Sequence, residues 1–377
     1  MRDPAVSASS DAALYIHIPF CHRHCPYCDF FSVRYRTDLA ERFVAALLDE
    51  AHQRAPKNPQ TIYIGGGNPT SLPAKLLKRL LAGLSQICRL QTVTEFTVET
   101  NPETLTPQKA HILRSFGVNR ISIGVQSFNP DILRFLGRRH GVREILVAVS
   151  TAKKTGFPNI NIDLIYGVPH QTYDDWLATL KAAVALDVQH ISCYALTVEE
   201  ETKLGYAVRR GAVKLPPESY VADMYKAAVE TLKTAGFKRY EISNFAKAGF
   251  ECRHNLTYWR SGKYVGLGPS AASFDGRRRL QNSKDLPRYL AAPRLPDEVV
   301  ELSRLERAAQ CLILALRTEN GITETELCEK TGLGFDAFAE EIERLKAAGL
   351  LKQEGAVLRL TERGFLFHDS VAVELIR

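Results

Sequence analysis

Apolar and polar positions along this chain alternate in two periods, and the periods take turns. Short runs rich in β-branched and aromatic residues stand at 14–18, 61–64, 95–98, 120–125, 160–165 and 190–196. Runs of this length and type predict strands. Between them, apolar residues recur every three or four positions over 38–52, 73–87, 107–116, 142–154 and 173–186. That spacing predicts amphipathic helices. A further helix is expected over 217–235, ending at Gly236. Six strand–helix alternations imply an α/β fold with a parallel sheet and crossover helices. A doubly wound sheet and an incomplete barrel both satisfy the pattern, and periodicity does not choose between them.

The regular alternation stops near residue 237. Residues 237–298 are rich in aromatics, glycine and arginine without a clean period, and read as a connecting region. Residues 299–377 read as helix, turn, helix, helix, a short hairpin at 356–361 and a last helix. That order is winged-helix-like and raises DNA binding. Residues 321–350, however, hold seven acidic and three basic residues. A recognition helix approaching phosphates should not be acidic. The expected role is an interaction or lid domain, with no nucleic acid partner. The expected organisation is a disordered tail at 1–12, an α/β domain at 13–236, the connecting region, and this C-terminal domain.

Composition narrows the class further. No stretch approaches the ~18 apolar residues of a membrane span. Residues 1–12 (MRDPAVSASSDA) lack the apolar core of a signal peptide. A cytoplasmic chain with reduced cysteines is the expectation. The net charge of +7 mildly favours anionic ligands. The Arg277-Arg278-Arg279 run reads first as a solvated loop and second as a phosphate or propionate site.

The chemistry gathers where the predicted strands end, the edge at which parallel α/β folds build sites. Cys21, Cys25 and Cys28 fall within eight residues, after the first strand. Three thiolates on one loop suit three irons of a cubane cluster and leave the fourth iron open. Zinc with His22 or His24, or a thiol–disulfide motif at Cys25–Cys28, are the competitors. Gly65-Gly66-Gly67-Asn68-Pro69 follows the second strand and reads as a tight turn or a close-approach site. Glu99 and Gln126 stand at the next two strand ends, with Arg138 and Asp163 nearby. The carboxylates suit an ammonium or ribose hydroxyls, and Arg138 suits a carboxylate. Further on, Cys252-Arg253-His254-Asn255-Leu256-Thr257-Tyr258-Trp259 offers His254 either as an axial ligand in a flat apolar pocket or as part of a packed turn. Cys252 is the scattered cysteine with the most suggestive neighbours.

The segment Tyr15-Ile16-His17-Ile18-Pro19-Phe20-Cys21, the three-cysteine loop and the triple glycine resemble radical SAM enzymes. More narrowly they resemble the group around oxygen-independent coproporphyrinogen III oxidase, over about residues 13–377. The resemblance implies an incomplete (β/α)6 barrel. It implies a [4Fe–4S] cluster on Cys21, Cys25 and Cys28, with S-adenosylmethionine on the open iron. Tyr15, Gly66, Gly67, Glu99, Gln126, Arg138 and Asp163 match positions around S-adenosylmethionine. Asn68 stands where the group usually has threonine. Reductive cleavage to methionine and a 5′-deoxyadenosyl radical is the implied chemistry.

Within that group two readings part. The oxidases carry a longer N-terminal extension and a further cysteine two residues past the third ligand. Here twenty residues precede Cys21, and position 30 is Phe. Cys28-Asp29-Phe30 and His254-Asn255-x-x-Tyr258-Trp259 are similar instead to the HemW-type heme chaperones. That resemblance implies heme as cargo, His254 as heme ligand, and acceptor hemoproteins, membrane respiratory proteins among them. It also allows a homodimer. The stretch from Gly268 to Ser273 lacks the histidine often found there, so no second heme ligand is expected from it. The expected function is heme delivery. The runner-up is a coproporphyrinogen-decarboxylating or other radical SAM oxidoreductase, and a zinc-dependent scaffold comes third.

Overall fold

The computed structural model describes residues 12–293 and 295–376. The expected tail at 1–12 lies outside them except for Ala12, which is buried. The six predicted strands are present as β1 (Ala13–Ile18), β2 (Thr61–Gly66), β3 (Glu95–Thr100), β4 (Arg120–Gln126), β5 (Asn159–Tyr166) and β6 (His190–Ala195). Each pairs in parallel with the next. The helices Thr37–Arg54, Ala74–Ile87, Pro107–Ser115, Val142–Lys154 and Tyr173–Ala185 make the crossovers. β1 and β6 do not meet, because each takes a further neighbour in one twelve-stranded sheet. The barrel is therefore incomplete.

Alternation along the strands gives the sheet two unlike faces. Ile62 and Ile64, Phe96 and Val98, Ile121 and Ile123, and Ile160 and Ile162 are buried in the apolar core. The intervening residues are polar: Thr61 and Tyr63, Thr97 and Glu99, Arg120 and Ser122, Asn161 and Asp163, His190 and Ser192. Buried polar groups must find partners, and most of these find each other, although Thr97 Oγ1 and Arg120 Nε do not. Tyr63 donates to Glu99, Ser122 to Asp163, and Ser192 to Asn161.

Residues beyond 236 supply both flanks of this sheet. Asn244–Ala246 pairs antiparallel with β6. Tyr264–Leu267 crosses the molecule to pair in parallel with β1. Ala272–Phe274, Arg278–Gln281 and Glu298–Glu301 extend that edge antiparallel. These strands span three or four residues each, too short for a period to register. The arginine run illustrates the difference from a solvated loop. Arg278 and Arg279 lie in a strand, Arg277 and Arg278 make surface ion pairs with Glu301 and Asp275, and Arg279 turns toward Gln310.

The C-terminal part is winged-helix-like. Arg304–Leu316, Glu324–Thr331 and Ala339–Ala347 are helices, and Ile322–Thr323 joins a hairpin of Leu351–Glu354 and Val357–Leu360. The hairpin starts earlier than the sequence suggested, because Lys352, Gln353 and Glu354 are exposed polar residues that hide the first strand.

One buried carboxylate ties the first crossover helix to the added edge. Glu50 accepts from the Gly268 N–H at 2.8 Å, from Asn282 Nδ2 at 2.8 Å and from the Tyr289 hydroxyl at 2.7 Å, and pairs with Arg54. Removing one member of a buried charged network strands the rest, at a cost of about 3–5 kcal/mol. Glu50→Ala should lower unfolding stability by that order in a denaturant titration, and Glu50→Gln by less. A cost like that of a surface substitution would show that this network does not hold the edge.

Candidate functional site

The cysteine loop is pinned at both ends. Phe20–Cys21 pairs in parallel with Val33–Arg34. Phe20 is fully buried, edge-on to Phe43 with centroids 5.3 Å apart. Inside the loop the Cys28 N–H donates to the Cys25 carbonyl at 3.2 Å, closing a turn between them. All three thiols are free and partly exposed. Burial pushes Cys21 up to about 11 and Cys28 up to about 12. Both are thiols at neutral pH unless positive charge stands against them. Arg138 stands beside the remaining sulfur, its Nη1 3.7 Å from Cys25 Sγ. Among the described residues, no three His, Cys, Asp or Glu side chains converge on a single metal ion. A cubane cluster asks for something else, one thiolate on each of several irons. The donor set fits that group.

The strand ends beside the loop carry opposite charges. Glu99 is held by the Tyr63 hydroxyl at 2.7 Å and by the Gly66 N–H at 3.2 Å. Burial raises its carboxyl to about 7, and nearby Asp163 adds to the shift. Asp163 accepts from Ser122 at 3.0 Å and from Asn161 at 2.8 Å, and burial raises it too. Arg138 is partly buried and donates to Asn101 Oδ1 at 2.6 Å and to the Gly124 carbonyl at 3.0 Å. Its Nε is buried without a partner. Gln126 sits where the β4–β5 register shifts, with a left-handed φ of 67°. Such backbone is costly for a non-glycine residue and tends to occur at functional sites. A Cβ built on Gly124 would lie 3.0 Å from Gln126 Nε2 and 3.3 Å from both Arg138 Nη2 and Asn101 Oδ1. These three side chains therefore share one spot.

S-adenosylmethionine carries a carboxylate and two cationic centres. The spare Arg138 donor suits the first, and the two reluctant carboxylates suit the second. The glycine turn has a tighter reason than ligand access. A Cβ on Gly66 would fall 2.5 Å from His17, and one on Gly67 2.9 Å from the Ile18 and Phe20 carbonyls. The turn is pressed against the end of β1, where the Gly67 and Asn68 N–H groups donate to Ile18 and Phe20. Asn68 is buried, bonded to Thr70 and Thr104, and lines a small cavity with Cys25, Asn101 and Arg138.

A second cavity of about 500 Å³ opens on the other side of the cysteine loop. Tyr15 and His17 of β1, Phe30 and Phe31, and Tyr258, Trp259, Tyr264 and Phe274 line it. Arg279 and Lys284 contribute positive charge, and Gln310 and Leu314 form a wall from the C-terminal domain. Arg317 of that domain stacks over Trp259 at 4.4 Å.

His254 departs from its expected place. It is fully buried, with Nδ1 2.8 Å from Thr61 Oγ1 and Nε2 2.7 Å from the Tyr258 hydroxyl. Burial lowers its pKa to about 3. It does not line the cavity, and neither nitrogen is available to iron in this arrangement. Its backbone N–H, that of Arg253 and the Cys252 thiol all donate to Glu95. This histidine fixes the segment that presents Tyr258 and Trp259. Cys252 is part of the same anchor, with burial raising its thiol to about 12.

Residues 15–183 match the Radical SAM superfamily and residues 302–367 the HemN C-terminal domain. The heme chaperone HemW of Bacillus subtilis is 35% identical over 95% of this chain and 97% of its own length. The chain belongs to the HemW family. The Escherichia coli member is 33% identical, over 95% of this chain and 96% of its own. Among solved structures, coproporphyrinogen III oxidase (HemN) from Escherichia coli, a radical SAM enzyme, aligns with a TM-score of 0.84 at 25% identity. That match covers 98% of this chain and 92% of the other. The incomplete barrel and the HemN-type C-terminal domain are thus shared with the wider group, and membership of the radical SAM superfamily implies a [4Fe–4S] cluster and S-adenosylmethionine.

Sequence reasoning missed Tyr63 and Asn101, which hold Glu99 and Arg138. It also missed Tyr264 and Lys284 as cavity residues, and ranked an anion-site role for Arg279 second. Asn101 was visible in the tract after the third strand, whereas the cavity residues carried no spacing signal.

The raised Glu99 carboxyl predicts a pH dependence. Its folded pKa, near 7, lies above the unfolded value of ~4.3. The folded state therefore keeps this proton longer, and its contribution to stability is lost as pH rises from about 5 through 7. Buried His17, His190 and His254 have lowered pKa values and slope the opposite way. The difference between wild type and Glu99→Gln isolates the carboxylate. In the apoprotein, Glu99→Gln should gain about 3 kcal/mol relative to wild type on going from pH 5 to pH 8. Parallel stability–pH curves would show that Glu99 ionises normally.

Proposed function

We propose that this protein is a cytoplasmic heme chaperone that binds heme and passes it to acceptor hemoproteins, membrane respiratory proteins among them. Cys21, Cys25 and Cys28 hold its [4Fe–4S] cluster. Arg138 takes the carboxylate of S-adenosylmethionine, and Glu99 and Asp163 face its positive charge. Tyr15 lies between this cradle and the aromatic cavity. When bound, the cluster supplies one-electron chemistry. The chain's own side chains position the cosubstrate, hold its charges and keep the strand-end groups out of bulk water.

Phe30 is the observation that carries the reading. It stands two residues after the third ligand, the place of a further cysteine in the oxidases. It is 60% exposed and lines an aromatic cavity rather than the strand-end cradle. Kinship with proteins named heme chaperones, at 33–36% identity over nearly the whole chain, supports it. Among the described residues no helix is long and apolar enough to cross a membrane, in keeping with a chain that reaches membrane acceptors from one side.

Anaerobic reconstitution should give an EPR-active cluster after reduction, with a signal that shifts on adding S-adenosylmethionine and disappears in Cys25→Ala. The same sample should bind heme stoichiometrically and leave coproporphyrinogen III unchanged. Robust decarboxylation of coproporphyrinogen III with S-adenosylmethionine would assign the protein to the oxidases instead. A colourless product with one equivalent of zinc would overturn the cluster assignment.

A further inference from the structure

If heme is the cargo, the identity of its iron ligand is open, because His254 is enclosed. The aromatic cavity provides the candidates. Its volume of about 500 Å³ lies within the ~300–1,000 Å³ usual for cofactor-sized sites. Among the described residues, the lining holds one histidine, His17, and both its nitrogens are engaged. Nδ1 meets the Tyr15 hydroxyl at 3.1 Å, and Nε2 meets the Phe31 carbonyl at 2.8 Å. The lining has no cysteine or methionine. The Tyr15 and Tyr258 hydroxyls are each committed to a histidine. Tyr264 remains. It sits on the strand that pairs with β1, edge-on to Tyr258 with centroids 4.6 Å apart, and its hydroxyl is not tied to a histidine as those of Tyr15 and Tyr258 are.

The geometry points to Tyr264 as the iron ligand of heme in this cavity, with Arg279 and Lys284 holding the two heme carboxylates. This deepens the heme-chaperone reading and rests on it. Tyrosine is an established axial ligand of ferric heme. Binding as the phenolate forms one Fe–O bond and releases the phenol proton to water. Arg279 gives Nε and Nη2 to Gln310 Oε1, which leaves Nη1 for a carboxylate. Lys284 is exposed and forms no ion pair among the described residues. Asp29 is the one carboxylate in the lining, so the cavity keeps a net positive charge toward a dianionic ligand. The ring system then lies among aromatic side chains, with Trp259 held by Arg317 from the C-terminal domain.

The test uses the full chain titrated with ferric heme, followed by absorption and EPR. Wild type should show a high-spin ferric signal and a phenolate-to-iron charge-transfer band. Tyr264→Phe keeps the ring that packs on Tyr258, so its fold should survive, as a thermal melt will show. It should lose the band and bind heme about tenfold more weakly or worse. The double substitution of Arg279→Ala with Lys284→Ala should also weaken binding by about tenfold but retain the band. A Tyr264→Phe protein with unchanged band and affinity would overturn this assignment while leaving the chaperone reading intact. So would a low-spin wild-type spectrum with nitrogen ligands. Failure of wild type to bind heme at all would remove both.

Discussion

The structure depends on a sheet with one apolar and one polar face. Helices cover the apolar face, and burial there supplies the main driving force for folding. The polar face has no such cover, so its donors and acceptors must satisfy one another inside the open barrel. They do so largely between neighbouring strands, through Tyr63–Glu99, Ser122–Asp163 and Asn161–His190. At the strand ends the pairing runs out. Glu99 and Asp163 are left with raised pKa values, and Arg138 with an unpartnered Nε. The candidate cradle is where several such leftover groups gather, while Thr97 Oγ1 and Arg120 Nε are left over within the sheet itself.

What the sequence revealed follows from how local each signal is. The six parallel strands and their helices have periods readable over several residues. The three cysteines are adjacent in sequence, so their role was visible before any fold was known. The flanking strands from 244 to 301 are too short to show a period, and they pair with strands far away in sequence. The aromatic cavity is harder still. It draws on β1, the cysteine loop, the 258–284 region and the helix Arg304–Leu316. No window of sequence contains it, and only long-range pairing of Tyr264–Leu267 with β1 brings its walls together.

His254 shows how a motif can be informative for a reason other than the obvious one. The residues around it look like a ligand beside aromatics. The structure gives the histidine two hydrogen bonds, one to Thr61 in β2 and one to Tyr258. A neutral imidazole has one donor and one acceptor, and both hydroxyls can play either part. The ring is therefore satisfied when neutral, and burial keeps it neutral. A spacing pattern reports that the residue type is required. It does not distinguish contact with a ligand from support of the residues that make the contact.

His17 gives the two cavities a physical connection. Its ring fills the space where Gly66 has no Cβ, so it fixes the glycine turn. Its nitrogens meet the Tyr15 hydroxyl and the carbonyl of Phe31, three residues past the last cysteine. Burial lowers its pKa, so the ring stays neutral and its two hydrogen bonds hold their roles. Asp29, Phe30 and Phe31, which follow Cys28 directly, line the aromatic cavity. The glycine turn of the cradle and the Phe31 wall of the aromatic cavity are therefore packed against the same imidazole.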